Sequence, residues 1–161
     1  MPDSARQILI VDDNQDMRSL IKLTLVNQGY VCHTADCAEA AMALLKTECV
    51  DVALVDVIMP GMTGLSLFSQ IQDSYPETAI VFVTNINDMN LALESVRKGA
   101  YDYIIKSTVP HKLVETVDQA IVWRDANLER ERRLDDIRAL AYNQAAELQN
   151  RAQEASIPKE T

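Results

Sequence analysis

Residues 52–56 read Val-Ala-Leu-Val-Asp, and the chain continues Val-Ile-Met-Pro-Gly-Met-Thr-Gly to residue 64. Four consecutive apolar residues ending on a carboxylate describe a strand buried on both faces, because a strand with one wet face would alternate. Three further runs share this form: residues 8–11 lead into Asp12 and Asp13, residues 80–83 into Thr84, and residues 103–105 into Lys106. A fifth run, residues 31–35, is the least apolar and reads as an edge strand. Helical spacing fills the intervals, at Met17, Leu20 and Ile21, then Ala38, Ala41 and Leu45, then Leu67, Phe68 and Ile71. Met89, Ala92, Leu93 and Val96 form the fourth set, and Leu113, Val117 and Ile121 the fifth. Gly29 and Gly99 fall where a left-handed helix cap is wanted, and Pro110 where a first helical turn tolerates proline. Five strand–helix units with doubly buried strands predict an α/β domain, a parallel sheet wound with helices on both faces.

The composition fits one such domain. The 161 residues are 48% hydrophobic and 24% charged, enough for one core and too few for two. No run approaches the roughly 20 apolar residues of a membrane span, and no basic segment leads into an apolar stretch at the start. A cytoplasmic protein without membrane contact is therefore expected. Cys32, Cys37 and Cys49 lack paired metal-ligand spacing, and only His33 and His111 could supplement them, so disulfide and zinc scaffolds drop out. The cysteines read as small buried apolar residues. The net charge is −9, with 8 basic and 16 acidic residues in 1–123 and 7 basic and 8 acidic in 124–161. Neither part has the cationic excess that displaces phosphate counterions, so direct nucleic-acid binding is not expected.

The character changes at residue 124. Ten of the fifteen residues 124–138 are charged, and no proline or glycine interrupts 111–157. The predicted division is a domain over 1–123 and a charged helical extension or linker over 124–161. The last helix continues outward, and its final residues, from Ser156, are disordered. Leu134, Ile137, Ala141, Ala145, Leu148 and Ala152 recur at steps of three or four, a sparse coiled-coil seam for a weak homodimer. A solvated helix without a partner fits the same pattern.

Asp12, Asp13, Asp56, Thr84 and Lys106 all lie at or just past strand ends, where open parallel sheets form their ligand crevice. Taken singly, Asp12–Asn14 is a helix cap, Asp56 a turn residue, Thr84 a cap, Lys106 a surface charge and Tyr103 a packed ring. Converged, three carboxylates would repel one another unless a cation joined them, and an all-oxygen site suits Mg²⁺. A carboxylate held against Mg²⁺ and a lysine is chemically able to accept a phosphoryl group.

Ile-Leu-Ile-Val-Asp-Asp at 8–13, Leu-Val-Asp-Val-Ile-Met-Pro-Gly-Met-Thr-Gly at 54–64, Val-Thr at 83–84 and Lys-Gly-Ala-Tyr-Asp-Tyr-Ile-Ile-Lys at 98–106 resemble the receiver domain of bacterial two-component response regulators. The resemblance covers about residues 5–123. It implies a flavodoxin-like sheet of strand order 2-1-3-4-5, here with an extended C-terminal helix. It also implies a response regulator that accepts a phosphoryl group on Asp56 from a sensor histidine kinase or phosphotransfer protein, a switch rather than an enzyme. On that pattern Asp13 ligates Mg²⁺ directly and Asp12 partly through water, with Asp56 and the Ile58 backbone carbonyl completing the protein ligands. Thr84 would bond the phosphoryl oxygen, Lys106 would pair with it, and Thr84 and Tyr103 would form the switch. Ile58 and Ile86 would flank the approach of hydrolytic water, which implies slow dephosphorylation. An output domain beyond Thr161 is a further expected partner.

Two positions depart from the family pattern. Ser107 follows Lys106 where the family usually has a cis proline, and without proline a cis bond costs about 3 kcal/mol, which favours trans. Asn85 follows Thr84 where a small residue is usual. These departures fit a second reading, a receiver-like adaptor that works without phosphorylation. A third, an aspartate-nucleophile phosphohydrolase of the haloacid dehalogenase type, would place an acid two residues after Asp56, where Ile58 stands.

Overall fold

The computed structural model describes residues 4–156. Within them, five strands form one parallel sheet: β1 (Gln7–Val11), β2 (Val31–Ala35), β3 (Val52–Asp56), β4 (Ala79–Thr84) and β5 (Asp102–Ile105), in the order β2-β1-β3-β4-β5. The helices are α1 (Gln15–Val26), α2 (Ala38–Thr47), α3 (Gly64–Ser74), α4 (Met89–Arg97) and α5 (Val109–Ser156). Short 3₁₀ turns at Ile86–Asp88 and Lys106–Thr108 precede α4 and α5.

Strand periodicity sorts the core into two layers, because successive side chains leave opposite faces. Leu9, Val11, Ala53, Val55, Ile80 and Phe82 pack on one face against α2, α3 and α4, through residues such as Ala41, Leu67 and Ala92. Ile8, Ile10, Val52, Leu54, Val81 and Val83 face the other way, onto Ile21 and Leu25 of α1 and Leu113, Val117 and Ile121 of α5. Each of these strands is thus covered twice, which is why its apolar run does not alternate. The two edge strands are the exceptions: Val31 and Thr34 of β2 are exposed, and in β5 only Ile104 is buried, which corrects the reading of 103–105 as a strand buried on both faces. Gly29 and Gly99 adopt φ of 90° and 125° at the ends of α1 and α4, as their spacing predicts. Cys32 and Cys37 are partly buried, but Cys49 is exposed. It precedes β3 in a connection whose buried anchor is Val50, which corrects the reading of all three cysteines as buried.

The chain divides into two units between Arg124 and Asp125. In the first, the α5 segment is tied down by polar contacts as well as by its apolar stripe. Arg124 pairs with Asp51 at 3.0 Å and donates to the Glu77 carbonyl at 2.7 Å. The Tyr30 hydroxyl donates to Asp118. In the second unit the described residues are helical to Ser156, and Glu129–Arg133 and Glu147–Arg151 pair at one-turn spacing, 2.5 and 2.9 Å. Acid before base at this spacing supports a helix without tertiary help. Leu134, Ile137 and Leu148 are exposed. Ser156 is helical, which corrects the expectation that disorder begins there; the rest of that expectation, 157–161, falls outside the described residues. No described helix is long and apolar enough to cross a membrane.

Candidate functional site

Register assembles the site. Val11 lies opposite Val55 in the β1–β3 ladder, so Asp12 and Asp56 leave neighbouring strands side by side. Asp56 pairs with Val83 and Thr84 with Ile105, which brings Thr84 and Lys106 to the same carboxyl edge. From β1 the chain crosses outward to β2, and from β3 toward β4, so the crevice lies where the strand order reverses.

Asp12 and Asp56 are buried and Asp13 is exposed, and oxygens of the three carboxylates lie within 4.8 Å of one another. Lys106 Nζ lies 3.0 Å from Asp56 Oδ2 and 3.1 Å from Asp12 Oδ2. Only the contact to Asp56 has hydrogen-bond geometry, so Asp12 Oδ2 is buried beside a cation without a hydrogen-bond donor. The other oxygens are held by backbone, Asp12 Oδ1 by Asn14 N–H at 2.9 Å and Asp56 Oδ1 by Ile58 N–H at 3.2 Å. Asn14 also caps α1, its Oδ1 accepting from Met17 N–H at 3.0 Å.

Burial pushes the Asp56 carboxyl up to about 6; Lys106 opposes the shift, and the charge of Asp12 adds to it. Burial would lower the Lys106 pKa, but the hydrogen bond to Asp56 and the close charges of Asp56 and Asp12 outweigh it and raise the value. Three carboxylates against one ammonium leave excess negative charge, and one buried oxygen lacks a donor. A hard divalent cation with oxygen ligands fits that donor set.

Thr84 is buried, and its hydroxyl donates to the Asn85 carbonyl at 3.1 Å. Tyr103 is partly buried against the core layer that contains Phe82. Ile58 and Ile86 are 50% and 65% exposed. The Lys106–Ser107 bond is trans, as are all described peptide bonds. Asn85 and Ser107 line one open cleft of about 420 Å³, together with Ile86, Asn87, Asp88 and Ile105.

Two residues without a sequence-based role contact the site. A Cβ on Gly64 would lie 2.0 Å from the Asp56 carbonyl oxygen, and Gly64 N–H donates to the Val57 carbonyl at 3.0 Å. Its place at the end of the 54–64 segment was the available signal. Arg18 NH1 donates to the Asp12 carbonyl oxygen at 2.7 Å. Its position four residues after the Asn14 cap was the only hint.

A doubly wound five-stranded parallel sheet with acids and a lysine converging at its switch point defines a flavodoxin-like α/β domain of the receiver type. The chain belongs to the response regulator receiver domain family, whose model matches residues 8–118. It is similar to the DNA-binding transcriptional regulator NtrC of Klebsiella pneumoniae, 34% identical over 112 residues, which are 70% of this chain and 24% of that protein. The chain thus spans about a quarter of the length of the curated relatives it matches. Among solved structures it resembles NtrX from Brucella abortus, with TM-score 0.76 and 28% identity over 80% of this chain and 30% of that one. It also resembles the response regulator TrrA from Thermotoga maritima in complex with Mg²⁺ and BeF, with TM-score 0.65 and 30% identity over 71% of this chain and 98% of that one.

Proposed function

We propose that the chain is a phosphorylation-dependent switch that takes a phosphoryl group on Asp56 from a sensor histidine kinase or phosphotransfer protein. The observation that carries this reading is Lys106 Nζ seated between Asp56 and Asp12, 3.0 and 3.1 Å away. Asp12, Asp13, Asp56 and the Ile58 backbone carbonyl would hold Mg²⁺, a reading supported by the unsatisfied Asp12 oxygen and by the solved Mg²⁺–BeF complex of the similar TrrA. Bound there, Mg²⁺ would neutralise charge on the phosphoryl oxygens. One Asp56 oxygen attacks phosphorus as the bond to the donor's leaving atom breaks, while Lys106 stabilises the charge that develops. The product is an aspartyl phosphate, so the chain is a phosphoacceptor and not a turnover enzyme.

The switch follows from Thr84. Its hydroxyl now donates to Asn85, and a phosphoryl oxygen on Asp56 is a stronger, charged acceptor. Turning toward it would pull the turn after β4 and free space for Tyr103 to rotate, a bistable rearrangement. The receiver unit would span 1–123 and the extension 124–161. Through Leu134, Ile137, Ala141 and Leu148 the extension would form a weak coiled-coil dimer and lead to an output domain beyond Thr161. The acidic balance leaves any nucleic-acid contact to that output domain, and the expected compartment is the cytoplasm. Incubation with Mg²⁺ and acetyl phosphate, read by intact mass, tests the reading; one added phosphoryl group is expected.

A further inference from the structure

Asp12 is pinned by its backbone on both sides. Its N–H donates to the Ala35 carbonyl at 3.2 Å, and its carbonyl oxygen accepts from Arg18 NH1 at 2.7 Å. Arg18 belongs to the first turns of α1, where its own N–H donates to the Asn14 carbonyl at 3.1 Å. Asn14 N–H in turn donates to Asp12 Oδ1 at 2.9 Å. The contacts close a ring from Asp12 through Asn14 and Arg18 back to Asp12, with Asp13 enclosed in the sequence between them. A peptide plane is rigid, so holding the Asp12 carbonyl fixes the direction in which the chain enters Asp13.

The geometry points to Arg18 as a positioning residue for the acidic pair: by holding the Asp12–Asp13 peptide, its guanidinium presents the exposed Asp13 carboxylate to a divalent cation. This rests on the reading of Asp12, Asp13 and Asp56 as a Mg²⁺ site. It runs against the simplest electrostatic expectation. A cation placed near a metal site by charge alone weakens metal binding, so its removal would tighten Mg²⁺. Removal of a positioning hydrogen bond does the reverse.

Calorimetric titration of the full chain with MgCl₂ separates the two. Arg18→Met keeps the aliphatic stem and loses both donor and charge; it should bind Mg²⁺ about tenfold more weakly than wild type. Arg18→Lys restores a charged donor of similar reach and should recover most of that loss. Arg18→Gln, too short to reach the carbonyl, should follow Arg18→Met and serves if that variant does not fold. In metal-free protein, amide exchange at Asn14, whose N–H is bonded to Asp12 Oδ1, should quicken in Arg18→Met and stay near wild type in Arg18→Lys. Neutral variants that bind Mg²⁺ as tightly as wild type, or more tightly, overturn the assignment. A wild-type chain that binds no Mg²⁺ contradicts the metal reading itself, and this inference falls with it.

Discussion

Gly64 passes so close to Asp56 that a methyl group on its Cα would sit 2.0 Å from the Asp56 carbonyl oxygen and 2.9 Å from the carbonyl carbon. The obstacle is backbone at the end of a buried strand, with no flexible side chain to yield. The first residue of α3 is therefore part of what holds the phosphoacceptor in place.

Gly64→Ala should destabilise the receiver by about 2 kcal/mol, within the range for overpacking a tight site. Because relief of the clash displaces β3 at Asp56, phosphorylation by a small donor should slow even under conditions where the variant is fully folded. Urea unfolding and labelling rates on one preparation check this. A variant with wild-type stability and rate would mean that the backbone yields there without consequence.

Asp56→Asn should make the metal-free protein more stable at pH 7. Folding raises the Asp56 pKa from 3.8 to about 6, so between those values the folded chain binds more protons than the unfolded chain. Its stability contribution is then full below about pH 4 and is lost as pH rises through 6. At about 1.4 kcal/mol per unit, a shift of this size corresponds to about 3 kcal/mol. Asparagine mimics the neutral acid, so its advantage should be present at pH 7 and vanish below pH 4. Thermal unfolding without metal at both pH values decides it; an asparagine variant less stable at pH 7 contradicts the account.

The phosphoryl group, once formed, should persist. Ile58 and Ile86, which the receiver resemblance sets beside the approach of water to Asp56, carry no group to orient it and are exposed. Replacing Ile58 with Asn and Ile86 with Glu should speed hydrolysis about tenfold, or ~1.4 kcal/mol of barrier. Decay after donor removal, at fixed Mg²⁺, is the measurement. Equal decay of wild type and the double variant would show that these side chains do not govern the water.

The extension should self-associate weakly. Leu134 and Leu148 are exposed, and burying each would contribute about 1.5–3 kcal/mol. Sedimentation of the full chain should show a concentration-dependent dimer that Leu134→Asp with Leu148→Asp abolishes. A wild-type chain monomeric at high concentration, with and without phosphodonor, would make the extension a self-supporting helix held by pairs such as Glu129–Arg133.

Much of the fold was legible because burial on both faces leaves an unbroken apolar run, as at 8–11 and 52–55. The order of the strands was not, since periodicity carries no information about which run lies beside which. That order came only with the resemblance in the 54–64 segment. The acids and Lys106 were legible as a group because strand ends share an edge in a parallel sheet. The Asp12 oxygen without a donor, the Thr84 hydroxyl turned to Asn85 and the Arg18 contact depend on side-chain rotamers and loop geometry. Residue type and spacing do not encode these. Cys49 was misjudged for a related reason: burial in the connection before β3 falls on Val50, one residue away.

The central claim is that Asp56 is the phosphoacceptor. Intact mass spectrometry of wild type and Asp56→Asn, each incubated with acetyl phosphate in the presence of Mg²⁺ and again with chelator, tests it most directly. Wild type should gain one phosphoryl mass with Mg²⁺ and little with chelator, and Asp56→Asn should gain none. Full phosphorylation of Asp56→Asn, or a wild-type chain that stays unmodified with Mg²⁺ and donor in excess, would contradict the account.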